Sequence, residues 1–163
     1  TRPTSDKVKE AEFDMIRYFD DAVCLDLFAG TGALGIEALS RGAKKCYFVE
    51  ENLNIYKILV KNFKEINASS DEINALRCDF LKALKGYKNK ELKFDIIFID
   101  PPYKTNLAER AIYFILNNNL LNENGIICWE HDESKLDAIL EFNILKHKRY
   151  GNTYITIIDN YAK

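Results

Sequence analysis

An apolar run over residues 22–28 passes straight into Ala29-Gly30-Thr31-Gly32-Ala33-Leu34-Gly35, and Glu50 closes the next apolar run twenty residues after Gly30. Gly30 to Gly35 reads G-x-G-x-x-G between a predicted strand and a predicted helix. Glycines there permit a tight turn and close backbone approach, and an acid about twenty residues on can accept hydrogen bonds from ribose hydroxyls. The arrangement predicts a βαβ unit that holds a nucleoside.

The flanking residues narrow the choice of nucleoside. A dinucleotide needs a helix N-terminus free for pyrophosphate, and a carboxylate at Asp26 would be ill placed beside it. S-adenosylmethionine carries an amino-acid end and no phosphate, and Asp26 lies where its α-ammonium could sit. Asp79-Phe80, after a third apolar run, adds an acceptor and an apolar wall at the height of an adenine amine. Asp79 equally suits a helix N-cap, and both roles can hold together.

Apolar runs and helical spacing alternate along the chain. Strands are expected at 22–28, 45–50, 75–78, 94–99 and 125–130, and helices at 33–40, 53–66, 80–84, 106–116 and 134–140. That rhythm implies a parallel sheet covered by helices on both faces. It breaks at the end, where extended runs at 142–150 and 153–158 meet at Gly151-Asn152, a hairpin signal. The expected fold class is therefore α/β, a Rossmann-like class I adenosylmethionine-dependent methyltransferase. Its seven-stranded sheet would be mostly parallel with a C-terminal antiparallel hairpin.

The run at 94–99 ends in Asp100-Pro101-Pro102-Tyr103. Two prolines without N–H groups cannot extend a ladder, so the strand leaves through a stiff elbow. In a doubly wound sheet this elbow shares the carboxyl-end crevice with the glycine loop. An exocyclic amine on a nucleobase is a weak nucleophile. Hydrogen bonds from its N–H groups to the Asp100 carboxylate and a prolyl carbonyl would orient it and stabilise the charge that develops. Tyr103 would stack on a flipped or unpaired base.

At 163 residues the chain reads as one domain, with an N-terminal segment and helix at 1–20 and a catalytic core at 21–163. No apolar run approaches the roughly 20 residues that span a bilayer, so a soluble cytoplasmic protein without membrane contact is expected. Cys24, Cys46, Cys78 and Cys128 are widely spaced and beside apolar runs. They are expected as free, buried thiols with no metal-ligand spacing. The net charge of −2 denies the whole chain a basic footprint. Nucleic-acid affinity must come from local patches: Lys82 to Lys93, residues 146–149, and Arg2, Lys7 and Lys9. Solvated lysines are the plainer reading of each.

Taken together, the Arg2-Pro3-Thr4-Ser5-Asp6-Lys7-Val8-Lys9-Glu10 start, LDLFAGTGALGIEALSRGA at 25–43, Phe48-Val49-Glu50, Asp100 to Tyr103, and Tyr150-Gly151-Asn152-Thr153 resemble the RsmD family. These are bacterial enzymes that methylate N2 of a guanine in 16S ribosomal RNA. The resemblance spans nearly the whole chain, with the motifs in the family's order. It implies adenosylmethionine held by Asp26, Phe28, Gly30, Thr31, Gly32, Glu50, Asp79, Phe80 and Thr4, and a target amine held by Asp100, Pro101 and Pro102 under Tyr103. RNA contacts are expected at Arg2, Lys7, Lys148 and Arg149. The implied partner is 16S rRNA within a small-subunit particle, met by a monomeric, metal-free enzyme. A nicotinamide oxidoreductase would leave Asp100 to Tyr103 unexplained. An adenine-N6 methyltransferase and a non-enzymatic assembly factor with this fold remain the alternatives. His131 and His147 are expected in surface or structural roles, and Trp129 as packed.

Overall fold

The computed structural model describes residues 6–16, 18–102 and 104–161. In chain order the elements are α1 (Asp6–Met15), β1 (Val23–Asp26), α2 (Ala33–Ser40), β2 (Lys45–Val49), α3 (Leu53–Glu65), β3 (Ile73–Leu76) and α4 (Phe80–Asn89). There follow β4 (Phe94–Ile99), α5 (Leu107–Asn117), β5 (Leu121–His131), two 3₁₀ turns (Glu133–Lys135 and Ala138–Glu141), β6 (Ile144–Tyr150) and β7 (Thr153–Ile158). The strands form one seven-stranded sheet in the order β3-β2-β1-β4-β5-β7-β6. β1 to β5 pair in parallel, and β7 runs antiparallel to both β5 and β6. This is the class I methyltransferase arrangement, with its order reversing between β1 and β4.

Side chains alternate across a strand, and the sheet uses both faces. Leu25, Tyr47, Val49, Ile97, Ile99, Ile127 and Trp129 point to one face, where Phe80, Leu84 and Tyr87 of α4 and Ala111, Ile112 and Ile115 of α5 cover them. Cys24, Cys46, Phe48, Ile96, Phe98 and Cys128 point to the other, under Phe13 and Met15 of α1, Leu34 and Ala38 of α2, and Leu59 of α3. A sheet apolar on both faces explains why its strands read as continuous apolar runs.

β1 ends at Asp26 rather than residue 28, β5 begins at Leu121 rather than residue 125, and β6 begins at Ile144 rather than residue 142; three further differences follow. α4 continues to Asn89 rather than ending near residue 84, because Lys82, Lys85 and Lys88 occupy its solvent side while Phe80, Ala83, Leu84 and Tyr87 are buried. The helix expected at 134–140 is instead two 3₁₀ turns. The Asp132 side chain accepts from the Ser134 N–H at 2.9 Å, and i→i+3 bonds such as Leu136 N–H to Glu133 O (3.2 Å) tighten the chain. β3 ends at Leu76, two residues early, which frees Cys78 and Asp79 from the ladder.

Cys24, Cys46 and Cys128 are buried free thiols, and burial pushes the Cys24 thiol up to about 12. Cys78 is only half-buried. Among the described residues no helix is long and apolar enough to cross a membrane.

The approach of α2 to β2 depends on Gly35. A Cβ there would lie 2.3 Å from the Phe48 ring and 2.7 Å from Cys46 Sγ, both in the core. Gly86 in α4 has open space around it. Gly35→Ala is therefore expected to lower the unfolding free energy by about 1–3 kcal/mol through overpacking. Gly86→Ala is expected to raise it by about 0.4–1 kcal/mol through reduced unfolded-state freedom. Urea denaturation of both variants beside the parent checks the opposite signs.

Candidate active site

The carboxyl ends of β1, β2 and β4 and the exit of β3 open onto one cleft. Leu27, Phe28, Val49, Glu50, Glu51, Cys78, Asp79, Phe80, Asp100, Pro102 and Leu107 line it. It holds about 130 Å³ and opens to solvent, a shallower space than the roughly 300–1,000 Å³ of a fully formed small-molecule pocket.

Of the predicted cofactor residues, Phe28, Glu50, Asp79 and Phe80 line this cleft, whereas Asp26, Gly30, Thr31 and Gly32 lie behind its lining, where backbone donors meet carboxylates. Asp26 ends β1 at 3% exposure, and its Oδ2 accepts from the Gly35 N–H at 3.0 Å. Glu50 follows β2, also buried. Its Oε1 accepts from the Gly30 N–H and its Oε2 from the Asn52 N–H, both at 2.9 Å. Gly30 and Gly32 take φ of 58° and 91°, a region that glycine enters at no steric cost. The Asn62 side chain reaches from α3 to donate to the Thr31 carbonyl at 2.8 Å. The loop is thus fixed from both sides, and no local sequence signal points to that second tether.

On the far wall Asp79 caps α4, with Oδ2 accepting from the Leu81 and Lys82 N–H groups at 3.1 and 3.2 Å. Its helix-cap role is therefore realised, and the exposed carboxylate still borders the cleft. Phe28 and Phe80 pack with ring centroids 5.4 Å apart, and the Arg110 guanidinium sits 5.3 Å from the Phe80 centroid. Glu51, Cys78 and Leu107 also line the cleft. None of the three was assigned from the sequence; Glu51 follows Glu50 and Cys78 precedes Asp79, but neither carries a signal of its own.

Asp100 and Pro102 form the wall contributed by the elbow, and Pro101 is half-buried beside them. The Pro102 carbonyl accepts from the Thr105 hydroxyl at 3.1 Å, which leaves the Pro101 carbonyl as the prolyl acceptor to consider for a target amine. Tyr103, Thr4 and Arg2 lie outside the described residues. Lys7 is exposed on α1. Lys148 and Arg149 are exposed on β6, and the Arg149 Nε–H donates to the Gly151 carbonyl at 2.8 Å. Because β6 runs parallel to β4, these two residues stand at the same end of the sheet as the elbow. They are three strands away, about 14 Å at ordinary strand spacing.

Of the surface and structural roles expected for the histidines, His131 takes the structural one and His147 is exposed. His131 is buried, and Thr156 Oγ1 lies 2.7 Å from its Nε2 and 2.8 Å from the Nδ1 of exposed His147. Trp129 is packed at 1% exposure. Among the described residues no cluster of His, Cys, Asp and Glu could hold a metal ion.

The electrostatics of the cleft are those of carboxylates in excess. Burial pushes the Asp26 carboxyl up from 3.8 to about 8. The Gly35 N–H opposes the shift, and the negative charges of Asp100 and Glu50 add to it. Such a site favours a ligand that brings positive charge and disfavours a phosphate.

A family model described as conserved hypothetical protein 95 matches residues 1–159. The chain is 40% identical over 152 residues to ribosomal RNA small subunit methyltransferase D of Haemophilus influenzae, covering 92% of this chain and 78% of that protein. It is 39% identical over 160 residues to YlbH of Bacillus subtilis, named as an rRNA methyltransferase, covering 96% of this chain and 86% of that one. A solved Haemophilus influenzae structure described as a methylase superposes with a TM-score of 0.79 at 36% identity, over 97% of this chain and 99% of that one.

The raised Asp26 carboxyl carries a stability consequence. Above pH 3.8 the unfolded chain releases this proton while the folded cleft retains it up to about 8, so stability on this group's account falls as pH rises through that window. Thermal unfolding of the ligand-free protein between pH 5 and 8 is expected to show a steeper loss for the parent than for Asp26→Asn.

Proposed function

The chain belongs to the RsmD family, and on that premise we propose that it transfers a methyl group from S-adenosylmethionine to the N2 amine of a guanine in 16S rRNA. The observation that carries the reading is the pairing of two features in one cleft. A glycine loop is locked to a buried acid, as a nucleoside requires, and a proline-stiffened elbow presents Asp100 beside it.

The residues present fit the cofactor. Glu50 already accepts one backbone N–H on each oxygen, and a carboxylate oxygen has a second lone pair with which to receive a ribose hydroxyl. Phe28 and Phe80 make an apolar wall for an adenine, with Asp79 at its rim. Asp26, buried and bonded to the Gly35 N–H, is the carboxylate we assign to the α-ammonium, and a cationic ligand would relieve the repulsion that Glu50 and Asp100 exert on it. When bound, adenosylmethionine supplies the methyl group on a positively charged sulfur.

The chain's own part in the transfer is to orient and to stabilise charge. Asp100 accepts one N–H of the guanine amine and the Pro101 carbonyl the other, which aims the nitrogen lone pair at the methyl carbon. As the bond from nitrogen to methyl carbon would form and the methyl–sulfur bond break, the Asp100 carboxylate would stabilise the positive nitrogen, whose surplus proton then passes to solvent, with no covalent enzyme intermediate. Tyr103 stacks on the base, and Thr4 joins the amino-acid end of the cofactor. Arg2, Lys7, Lys148 and Arg149 contact phosphates. With a net charge of −2, the chain meets its target base within a small-subunit particle, where ribosomal proteins help to present it.

Two outcomes are expected. Asp100→Ala should lower methyl transfer roughly 100-fold or more, the scale of losing one electrostatic contact to a transition state, while adenosylmethionine affinity by calorimetry is largely retained. The assay is labelled methyl transfer to small-subunit particles that lack the modification. Nucleoside analysis should give N2-methylguanosine; N6-methyladenosine would overturn the guanine assignment. Separately, binding of the α-ammonium should favour ionised Asp26, so adenosylmethionine affinity should rise with pH toward 8. Calorimetry near pH 7 in buffers of different ionisation enthalpy should then report proton release, which Asp26→Asn abolishes.

A further inference from the structure

We propose that Lys135, on the 3₁₀ turn that follows β5, is a positioning residue that holds the Asp100–Pro101–Pro102 elbow in its reactive placement by fixing Thr105; this rests on the methyl-transfer reading above.

Thr105 is the node through which the elbow is tied down. Its hydroxyl donates to the Pro102 carbonyl at 3.1 Å and accepts from the Leu107 N–H at 3.4 Å, joining the elbow to the start of α5. Its own carbonyl accepts from Lys135 Nζ at 2.7 Å. The ammonium has three donors, and a second is directed to Glu109 Oε2 on α5 at 2.6 Å. One cation thus joins the β5 exit, the elbow and the first turn of α5 from a part-buried position, with Lys135 and Glu109 side chains 18% and 20% exposed.

The elbow has need of that restraint. Lys104, between the prolines and Thr105, takes φ of 57° without being glycine, a left-handed backbone that persists only where its surroundings over-determine it. The two prolines remove the N–H groups that could otherwise anchor the segment to a ladder. The turn that carries Lys135 is itself rigid. The Asp132 carbonyl accepts from the Lys135 N–H at 3.2 Å and from His131 Nδ1–H at 2.9 Å, since a carbonyl can only accept. Pro101, Pro102, Lys104, Thr105 and Lys135 share the walls of one small crevice between elbow and turn, and the link from Lys135 to the prolines runs through Thr105.

Lys135→Met alone would confuse two effects, because it leaves the part-buried Glu109 carboxylate uncompensated. The test therefore uses the double variant Lys135→Met/Glu109→Leu, which removes both charges together, beside the parent and Thr105→Val. The readouts are melting temperature, adenosylmethionine affinity by calorimetry, steady-state methyl transfer to small-subunit particles, and amide hydrogen exchange in the peptide spanning residues 100–107. The expected result for the double variant is a melting temperature and cofactor affinity close to the parent's. Its KM for the particle should be unchanged, its kcat roughly ten-fold or more lower, and exchange at Lys104 and Thr105 faster. Thr105→Val should reproduce the kcat loss, and combining it with the double variant should add little, because both break one chain of contacts. Parental kcat and parental elbow exchange in the double variant would overturn the inference and leave Lys135 as a counter-charge for Glu109 alone. If the parent itself transfers no methyl to RNA, the functional reading falls while elbow exchange still decides the role of Lys135.

Discussion

The hydrogen bond from the Gly35 N–H to the Asp26 carboxylate is the contact on which the site depends. It joins the end of β1 to the first turn of α2 and sets the path of the glycine loop between them. It exists only because α2 lies against β2 closely enough that a Cβ at Gly35 would strike Phe48 and Cys46. Core packing and cofactor geometry are therefore one constraint here. The helix rests on the β2 side chains, and its N-terminal amides are brought within reach of the acid that ends the neighbouring strand.

The same contact shapes the electrostatics. A single N–H does not offset the desolvation of a buried carboxyl that also has Glu50 and Asp100 for neighbours. The cleft is left seeking positive charge at the point where three strand ends converge. Glu50, which holds Gly30 and Asn52 in place, and Asp100, which opens the elbow, face a common space because β1 sits between β2 and β4 in the sheet. The order reversal at β1 and β4 is what gathers these acids from positions 26, 50 and 100.

Much of the strand and helix pattern was legible, because a sheet buried on both faces writes its strands as short continuous apolar runs and α2, α3 and α5 carry clear helical spacing. The errors have physical causes. α4 hid its length behind lysines that keep one face apolar. The stretch after β5 has helical spacing, but the Asp132 side chain and i→i+3 bonds hold it as tight turns. Gly30, Gly32, Glu50 and Asp100 announced themselves by position after strands. Glu51, Cys78 and Leu107 did not, since nothing in their local sequence marks them as cleft residues, and the Asn62 tether to Thr31 spans 31 residues.

The class of fold, the turn geometry of the glycine loop and the stiffness of the elbow could be read from the chain alone, because they follow from residue-level properties: apolar periodicity, the conformational freedom of glycine and the fixed φ of proline. Which charges interact depends instead on how the elements pack. The protonation of Asp26 depends on burial and on carboxylates 24 and 74 residues away in the chain. Lys135 meets Thr105 because β5 delivers its turn beside the elbow. Electrostatic coupling depends on distance through space and on exclusion of water, and neither is written locally along a chain.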